Sequence, residues 1–159
     1  MHFIVYNCIA AAPQQEPTKN YFNLNQTNNK MIDKQYLEPN AGFSQTVIVH
    51  MGNIKTIYIS GQIGEGHTLE TQTIACFNNL EKQLFNCKAT FQDVVKMNTY
   101  IVNFTPQIDL PIFRKIRKEF LGHENYPAST LVGVSILGNQ DWLIEIEAIA
   151  VINESSLVQ

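Results

Sequence analysis

Charge is scarce in this chain of 159 residues: Asp, Glu, Lys and Arg together make up 16%, and the formal net charge is −3. Proteins that hold nucleic acid by releasing counterions carry a marked basic excess, so bulk electrostatics name no such partner. Cysteine is scarce as well. Cys8, Cys76 and Cys87 form no C-x-x-C pair, and a disulfide scaffold would carry an even, denser set in a shorter chain. Cys76 and Cys87 fall on one predicted helix, about 16 Å apart at 1.5 Å per residue, and therefore cannot bridge. The histidines, His2, His50, His67 and His123, lack the i, i+4 spacing of a zinc helix, and none lies near a cysteine at zinc-finger spacing. No metal site is expected. No run approaches the roughly 20 apolar residues of a membrane span, so no membrane partner is expected either.

With 45% hydrophobic residues, the chain holds enough apolar material for one compact core. The stretch from Phe3 to Ala12 is mostly apolar, is broken by Asn7, and ends in Ala10-Ala11-Ala12 before Pro13. That is similar to the end of a secretory signal with its small-residue cleavage site, although no Lys or Arg precedes it. A truncated signal, a mis-assigned start and an unimportant tail all stay open, and the compartment with them. Val5-Tyr6-Asn7 ahead of Cys8 lacks the small residues of a lipidation site. Residues 11–30 hold five Asn, three Gln and two Pro, a composition that cannot offset the entropy of ordering. The expected organisation is a flexible extension or signal remnant over 1–30, one folded domain over 31–153, and a tail over 154–159.

Within the domain, Lys34 to Leu37 reads as a short edge strand before the turn residues Pro39-Asn40-Ala41-Gly42. Gln45 to Met51 and Lys55 to Ser60 are rich in Val, Ile, Thr and Tyr, and Gly52-Asn53 between them suits a tight hairpin. A loop carrying Gly61, Gly64 and Gly66 follows. Ile74, Phe77, Leu80 and Leu84 then mark one face of a helix from about Leu69 to Cys87. Val94 to Phe104 reads as a long central strand stopped by Pro106. Ile112, Phe113, Ile116 and Phe120 mark a second helix with Gly122 as its C-terminal stop. Ser129 to Leu137 and Leu143 to Val151 read as a closing hairpin around Gly138-Asn139-Gln140-Asp141. The order implies an α+β fold: a mixed sheet with both helices on one face.

The last strand carries more than fold. Period two puts Glu145, Glu147, Ile149 and Val151 on one face, and Ile144, Ile146, Ala148 and Ala150 on the other. Carboxylates sharing a face with Ile and Val point to cover on both sides, for which a second protein chain is natural. The alternative is a solvated rim holding Glu145 and Glu147.

Ser60-Gly61-Gln62-Ile63 after a hairpin, Asp93-Val94-Val95-Lys96 opening the central strand, Tyr126-Pro127-Ala128, and Ile144-Glu145-Ile146-Glu147-Ala148-Ile149-Ala150 together resemble the RidA/YjgF enamine/imine deaminase family, from about Lys34 to Ile152. The resemblance implies a six-stranded sheet with two helices (chorismate mutase-like), a homotrimer whose sheets form a central barrel, and a small-molecule pocket at each subunit boundary. It implies hydrolysis of reactive enamines and imines such as 2-aminoacrylate to a 2-keto acid and ammonia, without a cofactor, in the cytoplasm if residues 1–12 are no signal. Some members are described as endoribonucleases. Glu145 matches the acidic pocket position, where a carboxylate would orient or deprotonate the attacking water; pairing with a neighbouring subunit's cation is the alternative. Ser60 and Gly61 match the pocket wall, or serve only as a structural turn.

The departures matter as much. The family carries Arg after the Pro-Ala pair, a two-pronged clamp for a substrate carboxylate, where this chain has Ser129. Phe43 stands where many members have Tyr, and Leu131 at a position often held by Cys, so the pocket becomes more apolar. Losing charge-assisted bonds of about 1.5 to 3 kcal/mol weakens carboxylate recognition about tenfold to more than a hundredfold. Arg114, at the family's pocket Asn by helix register, is a candidate substitute, set against an ordinary solvated basic face. Three functions follow: a hydrolase of enamines or imines with an altered substrate; a non-catalytic trimeric metabolite-binding or regulatory protein; and RNA binding through Arg114, Lys115, Arg117 and Lys118. The last is the least expected, because no aromatic stacking platform or catalytic histidine pair accompanies the cluster.

Overall fold

Two tight turns set the first three strands, β1 (Ile32–Asn40), β2 (Phe43–Met51) and β3 (Ile54–Gln62), in the computed structural model, which describes residues 32–154. Ala41 and Gly42 both have positive φ, 45° and 95°, and join Asn40 to Phe43 across the first turn. Gly52 at φ 62° opens the second, a two-residue loop between Met51 and Ile54, where a left-handed first residue matches the twist of the strands it joins. Helix α1 (Leu69–Asn86) begins where Thr68 accepts from the Thr71 amide at 3.2 Å while the Thr71 hydroxyl returns a bond to the Thr68 backbone, satisfying two otherwise unpaired helix donors. Strand β4 (Val94–Val102) follows. Pro106, expected to stop a strand, also opens helix α2 (Pro106–Leu121) as its first residue, where a missing N–H costs nothing. Strands β5 (Ala128–Val134) and β6 (Ile144–Asn153) complete the chain.

The α+β class and the six-stranded mixed sheet with two helices are as the sequence implies, but the strand order, β1-β2-β3-β6-β4-β5, differs at one point. β5 and β6 are not a hairpin: β5 runs parallel to β4 at the sheet edge, and β6 inserts antiparallel between β3 and β4. The reason is visible in β6 itself. Ile144, Ile146, Ala148 and Ala150 are buried against the helices while Glu145, Glu147 and Ile149 are half-buried on the far face. A strand apolar on one face and partly apolar on the other belongs in the middle of a sheet.

The core lies between the sheet and the helices, where Phe77 of α1 stacks on Phe120 of α2 at 5.0 Å. Ile74, expected on the buried face of α1, is instead 37% exposed, because the face is built on Thr73, Cys76, Phe77, Leu80 and Leu84. β4 ends at Val102 rather than Phe104, since Asn103 turns the chain with φ 51°. Cys76 and Cys87 are free and buried. Burial, with a smaller contribution from Glu145, pushes the Cys76 thiol up to about 12. The expectations for residues 1–30 and for the tail after Glu154 lie outside the described residues.

Candidate active site

The expected loop at Gly61 is still strand. Along β3, Ile59 pairs with Ala148 and Gln62 with Ile146, so Ser60 and Gly61 together face Glu147 alone. Such a bulge bends the strand and re-aims its side chains. Its consequence here is local and chemical: a Cβ built on Gly61 would overlap the Glu145 carboxylate. Only a residue without a side chain lets Glu145 lie against the β3 backbone.

Around that carboxylate is a cavity of about 450 Å³, lined by Phe43, Gln45, Ser60, Gly61, Ile63, Trp142 and Glu145. Burial first, and the negative charge of Glu147 second, raise the Glu145 carboxyl above its usual 4.5. Glu147 is held beside it by the Asn98 amide at 2.6 Å and the Tyr100 hydroxyl at 3.4 Å, and burial together with these carboxylates raises Tyr100 in turn. Ser60 Oγ donates to the Ser44 carbonyl at 2.6 Å, so towards the cavity it has lone pairs to offer rather than a proton. Gln62 Nε2 donates to Gln45 Oε1 at 3.0 Å and to the Ser60 carbonyl at 2.9 Å, fixing both sides of the bulge. A wider groove of about 930 Å³ shares Gln45, Gly61, Ile63 and Trp142 with the cavity and continues past Asn79 and Gln140.

Four sequence candidates, Phe43, Ser60, Gly61 and Glu145, are thus brought together. Three are not. Glu145 pairs across the sheet with Tyr100, and Tyr100 with Val132, so β5 lies two strand spacings, about 10 Å, from the acid. Ser129 is exposed on β5, Leu131 packs towards the core beneath the helices, and Arg114 is exposed on α2. None of the three lines the Glu145 cavity within this chain. The basic cluster of α2 is also divided: Arg117 is half-buried with its guanidinium 5.9 Å from the Tyr126 ring centre, while Lys115 meets Glu70 at 3.7 Å.

Gln45, Ile63 and Trp142 are not among the site residues expected from sequence, although Ile63 stands in the Ser60-Gly61-Gln62-Ile63 motif. For Trp142 a signal existed: it is the only tryptophan and stands two residues before the strand that carries Glu145. Among the described residues, no group of three or more His, Cys, Asp or Glu side chains could hold a metal ion, and no helix is long and apolar enough to cross a membrane.

Residues 33–152 match the family model described as Endoribonuclease L-PSP. A 2-iminobutanoate/2-iminopropanoate deaminase from Dermatophagoides farinae is 37% identical over 123 residues, which cover 72% of this chain and 89% of the relative. Among solved structures, RidA from an Antarctic Psychrobacter bacterium is similar with a TM-score of 0.61 at 27% identity, covering 72% of this chain and 91% of its own. A YjgF-family protein from Neisseria meningitidis shares the fold with a TM-score of 0.66 at 20% identity, covering 77% of this chain and 98% of its own.

Proposed function

The chain belongs to the RidA/YjgF family, the Endoribonuclease L-PSP family of the sequence model, and from that premise we propose that it hydrolyses reactive enamine or imine intermediates to a carbonyl product and ammonia. The observation that carries the reading is the Glu145 carboxyl, seated against Gly61 in a cavity that it shares with Phe43, Ile63 and Trp142 and raised above its usual titration range. A carboxyl raised in this way keeps its proton to higher pH than a free one and can serve as acid and then as base. In its protonated form Glu145 gives its proton to the imine nitrogen. As a carboxylate it then takes a proton from the water that attacks the imine carbon, forming a carbinolamine. Returning that proton to nitrogen lets the C–N bond break as the carbinolamine hydroxyl gives its own proton to Glu145, forming the carbonyl and restoring the acid, so one water is consumed and one ammonia and one carbonyl compound are released. Ser60, whose own hydrogen is engaged by Ser44, is suited to accept from the N–H of the protonated imine.

The proposed substrate differs from a small 2-imino acid. Ser129 supplies no guanidinium clamp, and Phe43 and Leu131 offer no polar handle. We assign Arg114, Ser129 and Leu131 to a second half-site, contributed by a neighbouring subunit of a homotrimer. In support, the sheet face away from the helices exposes Tyr36, Phe43, Met51, Tyr58, Val132 and Val151, each at least 38% accessible, and large apolar side chains gathered on one exposed face mark an association face. A second reading, a trimeric metabolite-binding or regulatory protein without turnover, is favoured by Ser129 alone.

The test is ammonia release while 2-aminoacrylate or another 2-imino acid is generated in situ, comparing wild type, Glu145→Ala and Ser129→Arg at matched oligomer content. Wild-type acceleration abolished in Glu145→Ala supports the hydrolase. Wild type inactive on larger 2-imino acids as well as on 2-aminoacrylate, with activity gained in Ser129→Arg, supports the binding protein.

A further inference from the structure

Trp142 is held more firmly than a loop residue needs to be. Its six-membered ring packs on Gly138, where a Cβ would sit 3.1 Å from Cζ3. Its amide closes a turn onto the Asn139 carbonyl at 3.2 Å, and the Asn139 side chain accepts from the Asp141 amide at 3.0 Å. Both flanking residues are gripped by one buried side chain of α1: Gln72 Nε2 donates to the Asp141 carbonyl at 2.8 Å, and Gln72 Oε1 accepts from the Leu143 amide at 2.7 Å. Gln72 also donates to the Gly66 carbonyl at 3.0 Å, tying down the loop that carries Ile63. The indole is therefore a preorganised wall, and it stands where the 450 Å³ cavity around Glu145 opens into the 930 Å³ groove.

Phe43 and Ile63 complete an apolar surround for which a three-carbon imine has no matching surface. Fixed aromatic rings favour planar apolar partners in stacked or edge-on contact, and they gain most when they need not be ordered on binding. We infer that Trp142, with Phe43, forms the specificity-determining subsite of this pocket, and that the substrate class is imines or enamines bearing an aromatic or large apolar substituent on the reacting carbon. The inference rests on the hydrolase reading for its chemistry but not for its binding site. The substituent lies along the indole, towards the groove, while the C=N carbon faces Glu145.

Two measurements separate the two claims. The first compares acceleration of hydrolysis for the imines of phenylpyruvate and pyruvate, made in situ by an amino-acid oxidase, in wild type and Trp142→Val. The expected result is preference for the phenylpyruvate imine, with that preference falling about tenfold in Trp142→Val through a loss of kcat/KM for the phenylpyruvate imine. Acceleration of both imines with an unchanged ratio in Trp142→Val would overturn the subsite and leave the hydrolase standing. Acceleration of neither would count against the hydrolase alone. The second measurement then decides the subsite: emission from the only tryptophan is titrated with the neutral probes 3-phenylpropanamide and propanamide. Saturable change with the phenyl compound at least about tenfold tighter than with propanamide, weakened in Phe43→Ala, supports the subsite. Equal or absent responses to both would overturn it.

Discussion

The Glu145 carboxylate fills the space that a side chain at Gly61 would take. The atoms in the way are the tip and stem of a flexible side chain rather than backbone, so a methyl group at 61 is accommodated by swinging the carboxylate aside. Gly61→Ala is therefore expected to lower kcat/KM for imine hydrolysis by about a hundredfold, since displacing a reacting group by about 1 Å has that effect, while changing Tm by no more than about 3 °C. Paired turnover and thermal unfolding measurements check this; a large fall in Tm with activity retained would contradict it.

Glu145 should also be a liability to the fold at neutral pH. Its folded-state carboxyl titrates above the usual 4.5, so the folded chain binds more protons than the unfolded one between those two values. The stability this gives is fully present below about pH 4.5 and is lost as pH rises through the raised value. Glu145→Gln removes that loss and the repulsion from Glu147. At fixed protein concentration its Tm is expected to exceed wild type by about 2 °C at pH 7.5, the gain shrinking as pH falls towards 4.5. An equal gain at both pH values would sink the assignment.

Gln72 makes three hydrogen bonds to two loops from a buried position on α1. Gln72→Leu keeps the side chain's bulk but strands the Leu143 amide and two carbonyls, an expected cost of about 2–4 kcal/mol. Chemical denaturation measures the loss. Faster hydrogen exchange at Leu143 than at the β4 amides would locate it in the Trp142 loop rather than across the sheet.

The apolar sheet face gives a separate prediction. Tyr58 is 46% exposed on that face, next to Val47 and Ile149. Within one chain, Tyr58→Glu puts a charge into water at little cost; across an interface it desolvates that charge. Sedimentation velocity is expected to show a trimer for wild type and a folded monomer for Tyr58→Glu. The same sedimentation coefficient for both would remove the face from the assembly.

Much of this was legible in residue order alone. Gly52-Asn53 required a turn, the Phe77, Leu80 and Leu84 spacing required a helix face, and alternation in β6 separated Glu145 and Glu147 from the buried Ile144 and Ile146. These are local consequences of the 3.6-residue and two-residue periods, which a sequence writes directly. The Ser60-Gly61-Glu145 set was legible only through family resemblance, because β3 and β6 lie more than 80 residues apart in the chain. The insertion of β6 between β3 and β4 could not be read locally: adjacent runs separated by a turn look the same whether they pair with each other or with distant strands. Nor does periodicity show a bulge, so the seating of Glu145 on Gly61 and the clamping of Trp142 by Gln72 emerged only when distant segments met. Sequence determined which residues face together along each element; tertiary structure decided which faces meet, because strand pairing and side-chain packing are satisfied across the whole core at once.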